Sequence, residues 1–327
     1  IILGAAGLGN AIGPLIGGVL TDLASWRWIF FLNVPISIFA VAVTYFLVHV
    51  EEPESKDHRI DYAGVTALTI GLVSLLVALD QVSDWGWGDP KVIGLLAVAA
   101  TLMIAFVPIE RRAGEHALVP REIMRNESFT ASCLAILFMS ATFFAALLYL
   151  PQFMEKQLGY SPLEAGVGML PFLATFAVVS FIAGPLYNRV GAKVLAIVGA
   201  ACITAGPFLF SLVDGNSGYD SLIIGMVVLG IGVGSFYPTA TTAGVTSVDS
   251  SQTSLAGGIV YMFQIAGGSI GLGLTTAVFS AAVPPFVDGV QAGFRLDAAL
   301  SLIGLVIAVF LIGGRLFSSS KTAADAA

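Results

Sequence analysis

The chain has 327 residues, 57% of them hydrophobic and 11% charged, with a mean hydropathy of +0.93, whereas soluble domains are about 25% charged; a water-solvated globular fold is excluded. Its net charge of −7 identifies no partner, and no nucleic acid is expected to bind. Two cysteines without paired spacing, Cys133 and Cys202, both inside apolar runs, exclude a disulfide framework and a cysteine metal site and are expected to act as small core hydrophobes.

The elements follow in chain order as ten apolar runs, at residues 1–21, 28–48, 61–80, 92–109, 129–150, 163–185, 194–213, 221–244, 255–282 and 298–317. Each is long enough to cross about 30 Å of hydrocarbon as a helix. The alternation of a barrel strand is absent. The expected fold class is therefore an all-α membrane protein that crosses the cell membrane, inner or plasma, many times. The first run begins at Ile1 without an initiator methionine, a charged leader or a cleavage site, so the sequence reads as N-terminally truncated. The polar end, SSSKTAADAA, is expected to be a disordered cytoplasmic tail over 318–327.

Ten spans put both chain ends on one side, and the loops divide into two sets. One set carries Lys56, Arg59, Arg111, Arg112, Arg121, Arg125, Arg189, Lys193, Arg315 and Lys321; the other carries Arg27, Lys91, Lys156 and Arg295. Lys and Arg accumulate on cytoplasmic loops, so the rich set is expected inside. Trp26, Trp28, Trp85 and Trp87 then fall beside outer loops, where interfacial aromatic anchors belong.

The first run contains the stretch GNAIGPLIGG at residues 9–18. Gly9, Gly13 and Gly17 recur every four residues and form one smooth stripe on which another helix backbone can pack. Pro14 removes a helix hydrogen bond and bends the span, and Gly18 extends the small surface. A static packing seam and a seam between two bodies that meet and part both fit this pattern.

GNAIGPLIGG resembles the antiporter motif on the fifth helix of exporters of the major facilitator superfamily. WRWIFFLNVPI, which follows it, resembles the start of helix six in the fourteen-helix drug:proton antiporters of that superfamily. ERRAGEHALVPREIMRNESF and QLGYSPLEAGVGMLP are similar to the family's connections between helices eight and nine and between nine and ten. GPLYNRVGAK resembles the second copy of the cytoplasmic loop motif, which places Gly184, Asn188, Arg189, Gly191 and Lys193 in it; Asn188 stands where the family has aspartate, which removes the charge a relay would need. The resemblance implies helices five to fourteen of fourteen. Residues 1–48 would be the last two helices of an N-terminal half, 49–127 a linker with two extra transmembrane helices, and 128–317 a complete C-terminal six-helix half. Such halves are parallel repeats. A shift of 254 aligns Gly4, Gly13, Ile16, Gly17 and Leu20 with Gly258, Gly267, Ile270, Gly271 and Leu274, and Asn10 with Gln264.

Proton coupling normally uses ionisable residues inside the membrane, and none lies near the middle of any of the ten runs. The resemblance places the coupling carboxylates on earlier helices. Asp22, Asp80 and Asp214 sit at outer span ends and are expected to be solvated, with Asp22, beside the glycine stripe, also a candidate for titration during transport. Asp61 is expected to cap a helix start. Neutral polar residues are better candidates for lining a cavity. Asn10 shares a face with Gly13 and Gly17, and Gln264 with Tyr261, Gly268 and Gly271. Thr142, Tyr149 and Gln152 form one stripe with Met139 and Phe143 beside it, and Tyr237 pairs with Thr241. For each of them an ordinary interhelical hydrogen bond is the alternative. His49, His58 and His116 lack ligand partners at metal spacing, so neither a metal nor a cofactor is expected. The sequon at Asn126 falls on the cytoplasmic side and reads as chance.

The resemblance implies a monomeric antiporter that exports amphipathic drugs against protons by alternating access, embedded in the lipid bilayer. An exporter of one specific metabolite or amino acid would share the same motifs. A membrane-embedded enzyme would need a nucleophile with its base, a metal cluster or paired acids near the membrane face, and a sensor built on the fold would be expected to carry a soluble domain. The orientation is tested by single cysteines in a background lacking Cys133 and Cys202. Cysteines at Ser55, Glu115 and Ser319 are expected to resist an impermeant thiol reagent added outside, whereas those at Ser83 and Asp288 react. Strong outside labelling at Glu115 overturns the orientation.

Overall fold

Without water in the hydrocarbon core, each spanning segment has to satisfy its backbone internally, and helices do so within one segment. The structure is a computed structural model and describes residues 13, 16–47, 61–114, 117–282 and 286–312. A helical stretch at residues 16–23 leads into α1 (Arg27–Leu47), α2 (Tyr62–Trp85), α3 (Pro90–Ala113), a short α4 (Arg121–Met124) and α5 (Glu127–Lys156). Then come α6 (Pro162–Gly168), α7 (Leu170–Val190), α8 (Ala192–Phe210), α9 (Tyr219–Val245), α10 (Thr253–Ala281) and α11 (Phe286–Leu311). Among the described residues nine helical spans are long and apolar enough to cross a membrane.

Helix boundaries follow local chemistry. The Asp61 carboxylate accepts from the Gly64 N–H at 2.9 Å and starts α2, as its position implied. Asp89 accepts from the Lys91 N–H at 2.7 Å ahead of Pro90, whose missing N–H costs nothing in a first turn. Asn126, the sequon residue, caps α5 by accepting from the Phe129 N–H at 3.1 Å, and its amide donates to the Ser247 carbonyl at 2.6 Å. Ser161 and Glu164 form a reciprocal capping box at the start of α6. Gly191, at φ 91°, ends α7 and begins α8 in a conformation that a side chain would strain.

The core is organised around α5, which packs against α9, α10 and α11. Glycines set how close the helices come. A Cβ added at Gly230 or Gly234 of α9 would lie 2.6 or 2.7 Å from the carbonyl oxygens of Phe172 and Phe176 on α7. On the opposite face of α9, one at Gly232 would lie 2.6 Å from the Ile203 nitrogen on α8. On α10, Gly267 and Gly271 press on Leu137 and Ala141 of α5. The α2–α3 hairpin joins this bundle through α2, with Ala78 and Val82 buried beside Ala277 of α10. The apolar span of α1 has no buried residue. Trp26, Trp28, Trp85 and Trp87 are all exposed, and Cys133 is buried while Cys202 is half-buried.

One boundary differs from the sequence expectation. The last helix starts at Phe286, not near residue 298, and so includes Asp297, an ionisable residue inside a span that hydropathy had placed outside it. The reason is facial. Val287, Val290, Gly293 and Phe294 recur at helical spacing and are buried, while Asp288 and Arg295 point outward and are exposed.

Close packing makes a test. In Gly267→Leu a side chain is forced into the Leu137 main chain, and overpacking costs roughly 1–3 kcal/mol even where neighbours can shift. The yield of monodisperse protein by size-exclusion chromatography in detergent is expected to fall sharply. Gly184→Leu, where nothing lies within 4 Å of an added Cβ, is expected to match the wild type. Equal yields would refute the packing argument.

Candidate functional site

Of the glycine motif, Gly9, Pro14 and the neighbouring Asn10 lie outside the described residues. Among the described residues, a Cβ added at Gly13 would meet nothing within 4 Å, and one at Gly17 would meet only Ile29 Cδ1, at 3.9 Å. The tight contact falls on Gly18, which is buried: a Cβ there would lie 2.8 Å from the Pro162 carbonyl oxygen and 2.9 Å from Leu163 Cα. One turn further on, the Asp22 carboxylate accepts from the Leu163 N–H at 3.0 Å. The first helical stretch is thereby held to the start of α6. Asp22 is exposed, as expected, and also makes this long-range bond.

The candidate cavity residues separate into two groups. Met139, Thr142, Phe143, Tyr149 and Tyr237 are buried together in the core around α5. Phe143 is the centre of an aromatic cluster, with ring centroids 5.6 Å from Phe144, 6.1 Å from Phe172, 6.0 Å from Phe176 and 5.9 Å from Tyr237. Tyr237 and Ser140 are joined through their hydroxyls at 3.1 Å; since Ser140 donates its hydrogen to the Ile136 carbonyl at 2.7 Å, Tyr237 is the donor. The Tyr149 hydroxyl donates to Thr276 Oγ1 at 2.9 Å. The second group lies outside this core. Gln152 is half-buried and accepts from Lys156 Nζ at 3.0 Å, Gln264 is half-buried, and Tyr261 is 63% exposed. An apolar cavity of about 270 Å³ lies elsewhere, between the α2–α3 hairpin and the bundle, lined by Leu72, Met103, Leu137, Met262, Phe263 and Ile270 among others.

In the loop motif, Gly184, Asn188 and Arg189 are exposed, Gly191 makes the turn between α7 and α8, and Lys193 is half-buried. In the loop after α8, Asp214 accepts from the Ser217 hydroxyl at 2.8 Å and the Asn216 N–H at 3.0 Å, which holds its carboxyl below the usual carboxylate range.

Sequence reasoning missed Asp297. It has no exposed surface and is the only Asp, Glu, Lys, Arg or His buried among the described residues. Its Oδ1 lies 2.8 Å from Thr275 Oγ1 on α10, and its Oδ2 is buried without a hydrogen-bond partner. Thr142, at the middle of α5, donates to the Asp297 backbone carbonyl at 3.3 Å. Gly293, one turn earlier, makes the approach possible: a Cβ there would lie 2.9 Å from Thr275 Cγ2. The signal in the sequence is a stripe of small or polar residues, Gly293, Asp297, Ser301, Gly304 and Ala308, which are all buried on one face of α11.

The family model described as Major Facilitator Superfamily matches residues 1–272 and 132–325. The chain is 30% identical to the multidrug transporter protein MdtP of Bacillus subtilis, over 84% of this chain and 51% of that protein. It is 27% identical to the tetracenomycin C resistance and export protein of Streptomyces glaucescens, over 92% and 55% of the two chains. With the multidrug export protein EmrB of Escherichia coli it shares 26% identity, over 82% and 52%. The chain thus spans about half the length of these relatives. Its spanning helices, their glycine-mediated packing and the family match lead to one conclusion: the chain belongs to the major facilitator superfamily and is a multi-pass integral protein of the cell membrane.

Proposed function

We propose that the chain is part of a proton-coupled exporter of amphipathic drugs that works by alternating access. The observation that carries this reading is the contact of Gly18 and Asp22 with the start of α6, which ties the first helical stretch to the C-terminal bundle at a glycine surface. Relatives described as multidrug transport or export proteins and as a tetracenomycin C resistance and export protein support the substrate class. In this reading residues 1–48 close an N-terminal half, 49–127 form the linker with its two extra helices, 128–317 form the C-terminal half, and 318–327 are a tail. The partners are small-molecule substrates, protons and the bilayer, with no oligomer required and no enzymatic step.

The mechanism follows from the seam. Two helical bodies rock about a midplane cavity and expose it to each side in turn. A backbone contact at Gly18 can form and part without side chains having to unlock, and the Asp22 bond to an exposed N–H can exchange for water. Aromatic and neutral polar groups such as Phe143, Tyr237, Gln264 and Tyr261 would suit bulky amphipathic substrates once rocking opens the bundle, because apolar contact tolerates variation in shape.

The test uses the full-length protein in an efflux-deficient bacterium. Ethidium accumulation is expected to fall below that of the empty vector, and a protonophore is expected to restore it. Accumulation equal to the empty vector across a panel of cationic and neutral amphipathic compounds would refute the drug-export reading.

A second prediction addresses the seam. Gly18→Leu is expected to abolish efflux at unchanged membrane abundance, because its side chain would have to occupy the space of the Pro162 carbonyl. Full efflux by this variant would refute the seam as the moving surface.

A further inference from the structure

We propose that Asp297 is a proton-binding site of the C-terminal bundle, which carries a proton while α11 is docked on α5 and α10 and releases it when α11 separates from Thr275 and admits water. Hydrogen-bond supply decides where the proton sits. Thr275 Oγ1 lies 2.9 Å from the Gly271 carbonyl and 2.8 Å from Asp297 Oδ1, yet a hydroxyl has one hydrogen. If Thr275 donates to Gly271, the back-bond that a helical threonine ordinarily makes, then Oδ1 faces an oxygen lone pair and has to supply the hydrogen itself. A protonated Asp297 donates to Thr275, which donates to Gly271, and every hydrogen has an acceptor. An ionised Asp297 would instead take the Thr275 hydrogen and leave a charged carboxylate with Oδ2 buried and unpartnered.

Among the described residues no cation is bonded to the carboxyl: Lys156 of α5 lies over the Phe286 ring at 5.0 Å, at the start of α11, and donates to Gln152. From α5 the nearby titratable group is Tyr149, within electrostatic range of Asp297 and with its hydroxyl committed to Thr276. From α8 the titratable groups are Cys202, half-buried, and Lys193 in the first turn at the other end of the helix. From α10 there is Tyr261, exposed and towards the far end from Thr275. On α11 itself Asp288 and Arg295 are exposed, and Arg295 donates to Gln291 Oε1 at 3.1 Å. The end of α11 nearer Phe286 is covered by aromatic rings, Phe294 on Phe210 at 5.0 Å and Phe279 on Phe286 at 5.4 Å. Water therefore reaches the carboxyl only if packing between the helices opens.

Coupling of this proton to export rests on the function proposed above; its presence on Asp297 does not. The experiment separates the two, using the full-length protein in lipid. Infrared spectroscopy at neutral pH is expected to show a carboxylic C=O band, shifted by deuterium exchange, that is lost in Asp297→Asn. A spectrum unchanged by that substitution overturns the proposal. Thr275→Val is expected to keep the band and move it to higher frequency, because the proton loses its acceptor. An unmoved band overturns Thr275 as the partner, and this variant judges the site even where Asp297→Asn does not fold. In proteoliposomes with an imposed pH gradient, Asp297→Asn is expected to lose uphill flux and keep substrate counterflow. Undiminished uphill flux in the variant overturns the coupling role, whereas absence of flux in the wild type refutes the exporter reading and leaves the infrared result to decide protonation.

Discussion

Contact between helix backbones has to hold this bundle together, since lipid tails are as apolar as leucine and give helices no hydrophobic reason to associate. The glycines of α9 show how the constraint is met on both faces of one helix. Gly230 and Gly234 admit the main chain of α7, and Gly232 admits that of α8, so α9 is held between them at backbone distance. The same device on α10, at Gly267 and Gly271, brings it against α5. Dispersion contacts are individually weak and become large in sum only at such separations.

This packing gives a physical meaning to the repeat between the first and ninth apolar runs. Gly267 and Gly271 serve a contact within one bundle, and a shift of 254 sets them against Gly13 and Gly17. In the proposed two-half architecture that stripe would therefore be a static seam inside its own half. Gly18 has Leu272 as its counterpart, so the two copies differ at this position. It is this residue that meets α6. The two readings of GNAIGPLIGG then need not compete, because neighbouring positions on one helix take one role each.

Most spans were legible because membrane crossing imposes length and apolarity, and caps such as Asp61 were legible because an unsatisfied first turn needs a short polar acceptor. Asp297 was hidden by the same averaging that revealed the spans. A hydropathy window adds Asp288, Arg295 and Asp297 as three charges, although two of them point out and one points in. How the candidate polar and aromatic residues of α5 are packed was only partly legible. Helical spacing set Met139, Thr142, Phe143, Tyr149 and Gln152 along one helix, yet the first four are buried together and Gln152 stands outside the core, because which face of α5 meets which neighbour is decided by glycines on α10 and α11. Gly18 was legible as part of the glycine motif, but its close approach to α6 was not, because a regular spacing of four drew attention to Gly13 and Gly17.

The position of Thr142 connects the two chemical features of the bundle. Its hydroxyl holds the backbone of α11 at Asp297, and the next residue, Phe143, is the hub of the aromatic cluster formed with α7 and α9. A separation of α11 from α5 that exposes Asp297 would break the Thr142 bond and loosen the wall behind Phe143, since Met139, one turn earlier, also packs against α11 at Gly304. Coupling between such sites is carried by an element with two discrete arrangements rather than by proximity. Thr275 is such an element. Its single hydrogen can satisfy Gly271 or Asp297, and which acceptor it serves depends on whether a proton occupies the carboxyl. A proton bound there favours the closely docked arrangement because it completes the chain of donors, and its loss favours any arrangement in which water solvates the charge. The free-energy difference between those two states is what a proton gradient would act on, and the shared helix α5 is where it would reach the aromatic cluster.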